Sequence, residues 1–111
     1  MAWYHFFTTR PSTAQLIKLA HTVARSHHHQ VLTKSRGTAL GMSRAESNGY
    51  VRVQAATVLR KELRRVIQVN HDLGDWAFDT LLSHSVEAVV QLVSGDLQRL
   101  RAATAPVRRA A

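Results

Sequence analysis

Residues 50–71 read YVRVQAATVLRKELRRVIQVNH, and the spacing of their apolar members decides the fold. At the helical period of about 100° per residue, Ala55, Leu63, Val66 and Asn70 fall within about 40° of Leu59. Ala56 and Ile67 widen that arc on one side, and Val51, Val58 and Val69 widen it on the other. Roughly half the circumference is apolar, enough to meet two neighbouring helices rather than one. The other half carries, in angular order, Arg60, Arg64, Thr57, Gln68, Lys61 and Arg65, and Glu62 falls outside it. A helix face needed only for solubility usually mixes signs, with Glu set one turn from Lys or Arg. This one collects cations and hydrogen-bonding side chains, with Arg64 at its centre.

Outward from this stretch the chain reads as helix throughout. Proline occurs only at Pro11 and Pro106, which leaves the span between them free of helix breakers. Ser12 to Gln15 has the pattern of a capping box, and Leu16, Leu19, Ala20, Val23, Ala24, Val31 and Leu32 follow at helical spacing, predicting a helix over about 12–34. The stretch from Ser35 to Gly49, rich in Gly, Ser and Asn, reads as a long connection. After the helix at about 50–71, Asp72 and Asp75 flank Gly74 and suit a helix N-terminus, and an apolar run from Trp76 to Val93 predicts a helix to about Ser94. Gly95-Asp96 reads as a stop and restart, with a short fourth helix around Leu97 and Leu100. No alternating strand pair is present. The expected architecture is all-α: long antiparallel helices with a shorter C-terminal helix, an aromatic arm at 1–10, a helical domain at 11–104 and a basic tail at 105–111. The apolar arc exceeds what one short helix covers, so a homodimer in the form of a four-helix bundle is expected.

Composition narrows the partners. The chain has 111 residues, one domain's worth, with 15 Lys and Arg against 7 Asp and Glu and a formal charge of +8. The charge is segregated: residues 51–71 carry +4, whereas residues 72–98 contain five acids and no Lys or Arg. Such a balance points to a polyanion, nucleic acid before an anionic membrane surface. Cysteine is absent, which removes disulfides, thiolate metal sites and cysteine nucleophiles, and fits a reducing, cytoplasmic compartment. No apolar run approaches the roughly 20 residues of a membrane span.

The chemistry-bearing residues gather into no catalytic constellation. His27, His28 and His29 are consecutive, so on a helix they diverge by about 100° each and cannot converge on one metal ion. Gly37 and Gly41 lack the Lys-Ser/Thr ending of a phosphate loop, and Ser, His and Asp show no triad spacing. A non-enzyme without cofactor or metal is expected. Lys18 and Arg25, two turns apart on the first helix, are read as a basic row parallel to the second helix. The long connection excludes a helix-turn-helix, and no sheet is present to stack single-stranded bases. What fits is recognition of backbone and groove shape by helices. The alternatives are a helical DNA-associated accessory protein and a helical protein-interaction adaptor using Trp76, Phe78 and the N-terminal aromatic residues, with the basic residues serving solubility.

Several short motifs add a resemblance. Pro11-Ser12 with Leu16-Ile17, then Gly41-Met42-Ser43, Val51-Arg52, Thr80-Leu81-Leu82, Val89-Val90, Leu92 and Gly95 occur in the order found in the small RNA-silencing suppressors of insect nodaviruses. The chain resembles that family over residues 11–95, with extra residues before Gly41 and before Thr80. The resemblance implies an antiparallel homodimeric four-helix bundle lying along an A-form duplex. It further implies binding of double-stranded RNA without sequence preference, protection of that RNA from dicing, and a place in the host cytoplasm. By position after Val51-Arg52, the family's groove-contacting residues fall on Arg52 and Arg64, and a further family Arg falls on His71. The expected RNA-binding residues are therefore Arg64, Arg60, Lys61, Arg65, Gln68, Arg52, Lys18 and Arg25.

Overall fold

The computed structural model describes residues 11–70 and 72–104. The aromatic arm, the basic tail and His71 lie outside the described residues. Within them the chain forms α1 (Thr13–Ala39), α2 (Arg44–Val69) and α3 (Asp75–Thr104), with no strand.

α1 starts where the sequence places it. The Ser12 hydroxyl accepts from the Gln15 N–H at 3.2 Å, and the Gln15 side chain accepts from the Ser12 N–H at 2.8 Å. Its end is five residues later than expected, because Ser35 and Ala39 are buried and carry the core through Gly37. A glycine costs a helix about 1 kcal/mol relative to alanine; set against it are the burial of Ala39 and the Leu40 N–H donating to the Arg36 carbonyl, whereas the buried Ser35 hydroxyl has no hydrogen-bond partner. The connection to α2 is only 40–43, so the long loop expected to exclude a helix-turn-helix is absent. What separates the chain from that motif is packing: α1 and α2 lie side by side, with His27 against Glu62, and do not cross at the roughly 90–120° of a helix-turn-helix. A second capping box, Ser43 with Glu46, starts α2 at Arg44, six residues before the expected start. Hydrogen bonding from the Ser43 backbone N–H, and secondarily from its hydroxyl, holds the Glu46 carboxyl below its ordinary range. Glycine and asparagine content thus pointed to a loop where reciprocal capping and the buried Ser47 make a helix.

α2 ends on Asn70, whose N–H donates to the Ile67 carbonyl and whose carbonyl accepts from the Leu73 N–H. Asn70 is buried, in keeping with its place on the apolar arc. Gly74 leaves no room for a side chain: a Cβ there would stand 2.9 Å from Cδ1 of Trp76, so the indole lies against the backbone at the start of α3.

α3 is one helix of 30 residues, the longest of the three, and not a long helix followed by a short one. Val93 and Leu97 are both buried, four residues apart, so the packed stripe runs unbroken past Gly95. Asp96 does not restart a helix; its carboxylate pairs with Arg99 and faces His28. Near its end, Arg101 donates to the carbonyls of Ala39 at 3.0 Å and Met42 at 3.4 Å, binding α3 to the carbonyl end of α1 and the turn behind it.

Cross-helix contacts give the directions. Arg64 meets Phe78, Arg52 meets Glu87 and Asn48 meets Ser94, so α2 and α3 run antiparallel. His28 faces Asp96 and Ala39 receives Arg101, so α1 and α3 run parallel. Leu59, Leu63 and Val66 are fully buried in one cluster with Leu19, Val23, Leu81, Val89 and Val93. Most of the half-circumference arc of α2 is thus covered by α1 and α3 of the same chain, with Ala56 and Ile67 half-buried at its edge and Val69 exposed at the helix end.

Candidate nucleic-acid interface

The described part of α1 contains four Lys and Arg and no acid, and α2 contains six against Glu46 and Glu62. α3 reverses the balance, with four acids and two arginines. The cations thus lie mainly on α1 and α2 and most acids on α3, while Glu62 of α2 stands in the α1/α2 groove among them.

Five of the expected residues come together on α2. Arg60, Lys61, Arg64, Arg65 and Gln68 are exposed and, with Thr57, line one open hollow along the solvent face of the helix. The stretch from Thr57 to Gln68 runs about 16 Å along the helix axis. The face continues into the groove between α1 and α2, where Lys61 and Arg65 stand opposite His27, Gln30 and Lys34. Lys34 is a contributor that sequence reasoning missed. Its signal was present, since seven residues separate it from His27 and place both on the same flank of α1 within about 20°.

Lys61, Arg64 and Arg65 all line the hollow; Lys61 and Arg65 also border the groove towards α1, and Arg64 borders the side towards α3. Arg64 sits with its guanidinium carbon 5.8 Å from the centre of the Phe78 ring, a cation–π stack. It also shares a hollow with Asp75, so the α3 side of the face meets a carboxylate. Phe78 is half-buried, packed on the core on one side and lining this hollow on the other; Trp76 is exposed. Glu62 is not isolated from the cations either. Its carboxylate lies 3.6 Å from Arg65 and 3.8 Å from His27.

The other three expected residues lie elsewhere. Arg52 is exposed, but one nitrogen of its guanidinium donates to both oxygens of Glu87 at 2.9 Å. The pair ties α2 to α3 across an exposed surface, away from the α2 hollow. Lys18 and Arg25 do not run beside the α2 row. Arg25 precedes His27 by two residues, or about 200° around the helix. With His27 turned to α2, Arg25 faces the groove between α1 and α3, beside His21, His84 and Gln91. Lys18, seven residues before Arg25, shares its flank.

The three consecutive histidines diverge as their spacing requires. His27 faces Glu62 on α2, and His28 faces Asp96 on α3 at 3.9 Å. No helix among the described residues is long and apolar enough to cross a membrane. Comparison with protein families, with curated proteins and with solved structures finds no match for the chain.

Proposed function

We propose that this chain binds double-stranded RNA through backbone contacts and, by covering the duplex, shields it from dicing and so suppresses RNA silencing. The observation that carries the binding is the continuous face of Arg60, Lys61 and Arg65 on α2, joined by Lys34 of α1. Guanidinium and ammonium groups on a straight helix match a regular array of phosphates, and releasing the counterions of those phosphates supplies affinity that is independent of sequence. Thr57 and Gln68 add hydrogen-bonding groups suited to the 2′-hydroxyls of a shallow minor groove. The shielding role and the homodimer rest on the family resemblance, since most of the apolar arc of α2 is covered within the chain by α1 and α3.

A gel-shift panel of RNA duplex, DNA duplex, single-stranded RNA and RNA–DNA hybrid tests the binding. The RNA duplex is expected to bind most tightly, and unrelated duplexes of equal length should differ by less than about tenfold, or 1.4 kcal/mol. Preference for the DNA duplex would favour the DNA-associated alternative, and no binding at physiological salt would favour the adaptor. Light scattering without RNA checks the assembly, a dimer having twice the 12.4 kDa of the chain.

A further inference from the structure

The cations of α1 form two rows, and only Lys34 belongs to the face described above. Lys18, Arg25 and Arg36 are spaced by seven and eleven residues, each step returning within about 20° of the same flank. All three are exposed, and together they span about 27 Å along the helix. None meets a carboxylate among the described residues.

Arg25 stands over the groove between α1 and α3, an open cleft of about 480 Å³ with Ala88 and Leu92 in its wall. His21, His84 and Gln91 line the same space and make no hydrogen bond or ion pair within the described chain. One carboxylate lines the groove, that of Glu87, and both its oxygens are engaged by Arg52 from the far side of α3. Arg52, placed by its helical position away from the α2 face, therefore offsets the charge of the acid in this groove. What is left is a net cationic cleft, continued along α1 by Lys18 and Arg36.

We propose that the α1/α3 groove is a second site for backbone phosphate, so that one chain holds two segments of duplex at once. The proposal rests on the duplex-binding reading of α2 for the nature of its partner. The two sites lie on opposite flanks of α1, because His27 and Arg25 point about 200° apart. Duplex nucleic acid is stiff over roughly 50 nm, so a segment lying along α2 does not bend around one helix to reach Arg25. The second site takes a second segment, and the protein bridges.

The test uses the full chain, isotopically labelled, titrated with an RNA duplex of about 16 base pairs, the span of a typical duplex-RNA module. Perturbed signals are expected at Lys61 and Arg65 and, separately, at His21, Arg25 and His84. In a companion assay, two differently coloured duplexes are mixed with limiting protein, and energy transfer between them reports bridging. The double variant R25A/R36A should lower bridging by about tenfold while duplex affinity falls only a few-fold. Perturbation of the α2 face alone, or undiminished bridging in that variant, overturns the second site and leaves the first. Perturbation of the groove alone overturns the α2 site and leaves this one. Absence of both overturns both.

Discussion

Lys61 and Arg64 lie one turn apart on the same face, yet their surroundings assign them different work. Lys61 is exposed, free of ion pairs, and lines both the α2 hollow and the α1/α2 groove. Lys61→Ala removes no buried contact and puts the best helix former at that position, so stability should change by no more than about 0.5 kcal/mol. Its effect should fall on binding: one lost phosphate contact flattens the salt dependence of log K by roughly 0.9. Arg64 is stacked on Phe78 and shares its hollow with Asp75. An exposed cation–π contact is worth about 0.5–1 kcal/mol, which in a domain of this size lowers the melting temperature by a few degrees. Part of its charge is already satisfied by the ring and opposed by the carboxylate, so the slope should change by clearly less than for Lys61. Thermal melts and filter binding from low to moderate salt, on both variants, measure the two quantities. An unchanged melting temperature in Arg64→Ala together with the full slope loss, and an unchanged slope in Lys61→Ala, would refute the reasoning.

Arg101→Ala should destabilise the fold by about 1.5–3 kcal/mol in urea unfolding, the range for hydrogen bonds to a charged group, because the carbonyls of Ala39 and Met42 lose their donor. Ser43→Ala should cost about 1 kcal/mol by loss of the α2 cap. The Glu46 carboxyl is held below its ordinary value, so its contribution is complete above that value and is lost as pH falls through the folded one. Acid titration of stability in Glu46→Gln should lack that component. Arg52→Ala, which breaks an exposed pair with Glu87, should change stability by less than about 1 kcal/mol and leave the salt slope of duplex binding at the α2 face unchanged. A slope reduced by a full phosphate contact would restore Arg52 to the RNA surface.

Helix identity and helix face were legible from residue order because both depend on neighbours within a turn or two. The period of Val51, Ala55, Leu59, Leu63 and Val66 places one side inward whatever the partner, and all five are buried. The same period places Arg60, Lys61, Arg64, Arg65 and Gln68 outward together. The capping box of Ser12 was equally local. Three element boundaries were misread for a local reason: glycine, serine and asparagine at 35–49, which hid the end of α1 and the start of α2, and Gly95-Asp96 signal loops on average. That preference, about 1 kcal/mol per glycine, yields to the burial of Ser35, Ala39, Ser47, Val93 and Leu97.

Which flank of a helix meets which partner is a property of the packed bundle, and residue order does not contain it. Arg52 and Glu87 are 35 positions apart, and nothing near Arg52 in the chain reveals that it meets a carboxylate. Phe78 under Arg64 follows from the antiparallel register of α2 and α3, which depends on the turn through Asn70 and Gly74. The separation of Lys34 from Lys18 and Arg25 was implicit in their spacing but had no direction until α2 and α3 occupied opposite sides of α1. The apolar arc of α2 required two neighbours by its width alone. That both are supplied by this chain was decided by α3, whose unbroken 30 residues reach the length of the bundle and close the third side.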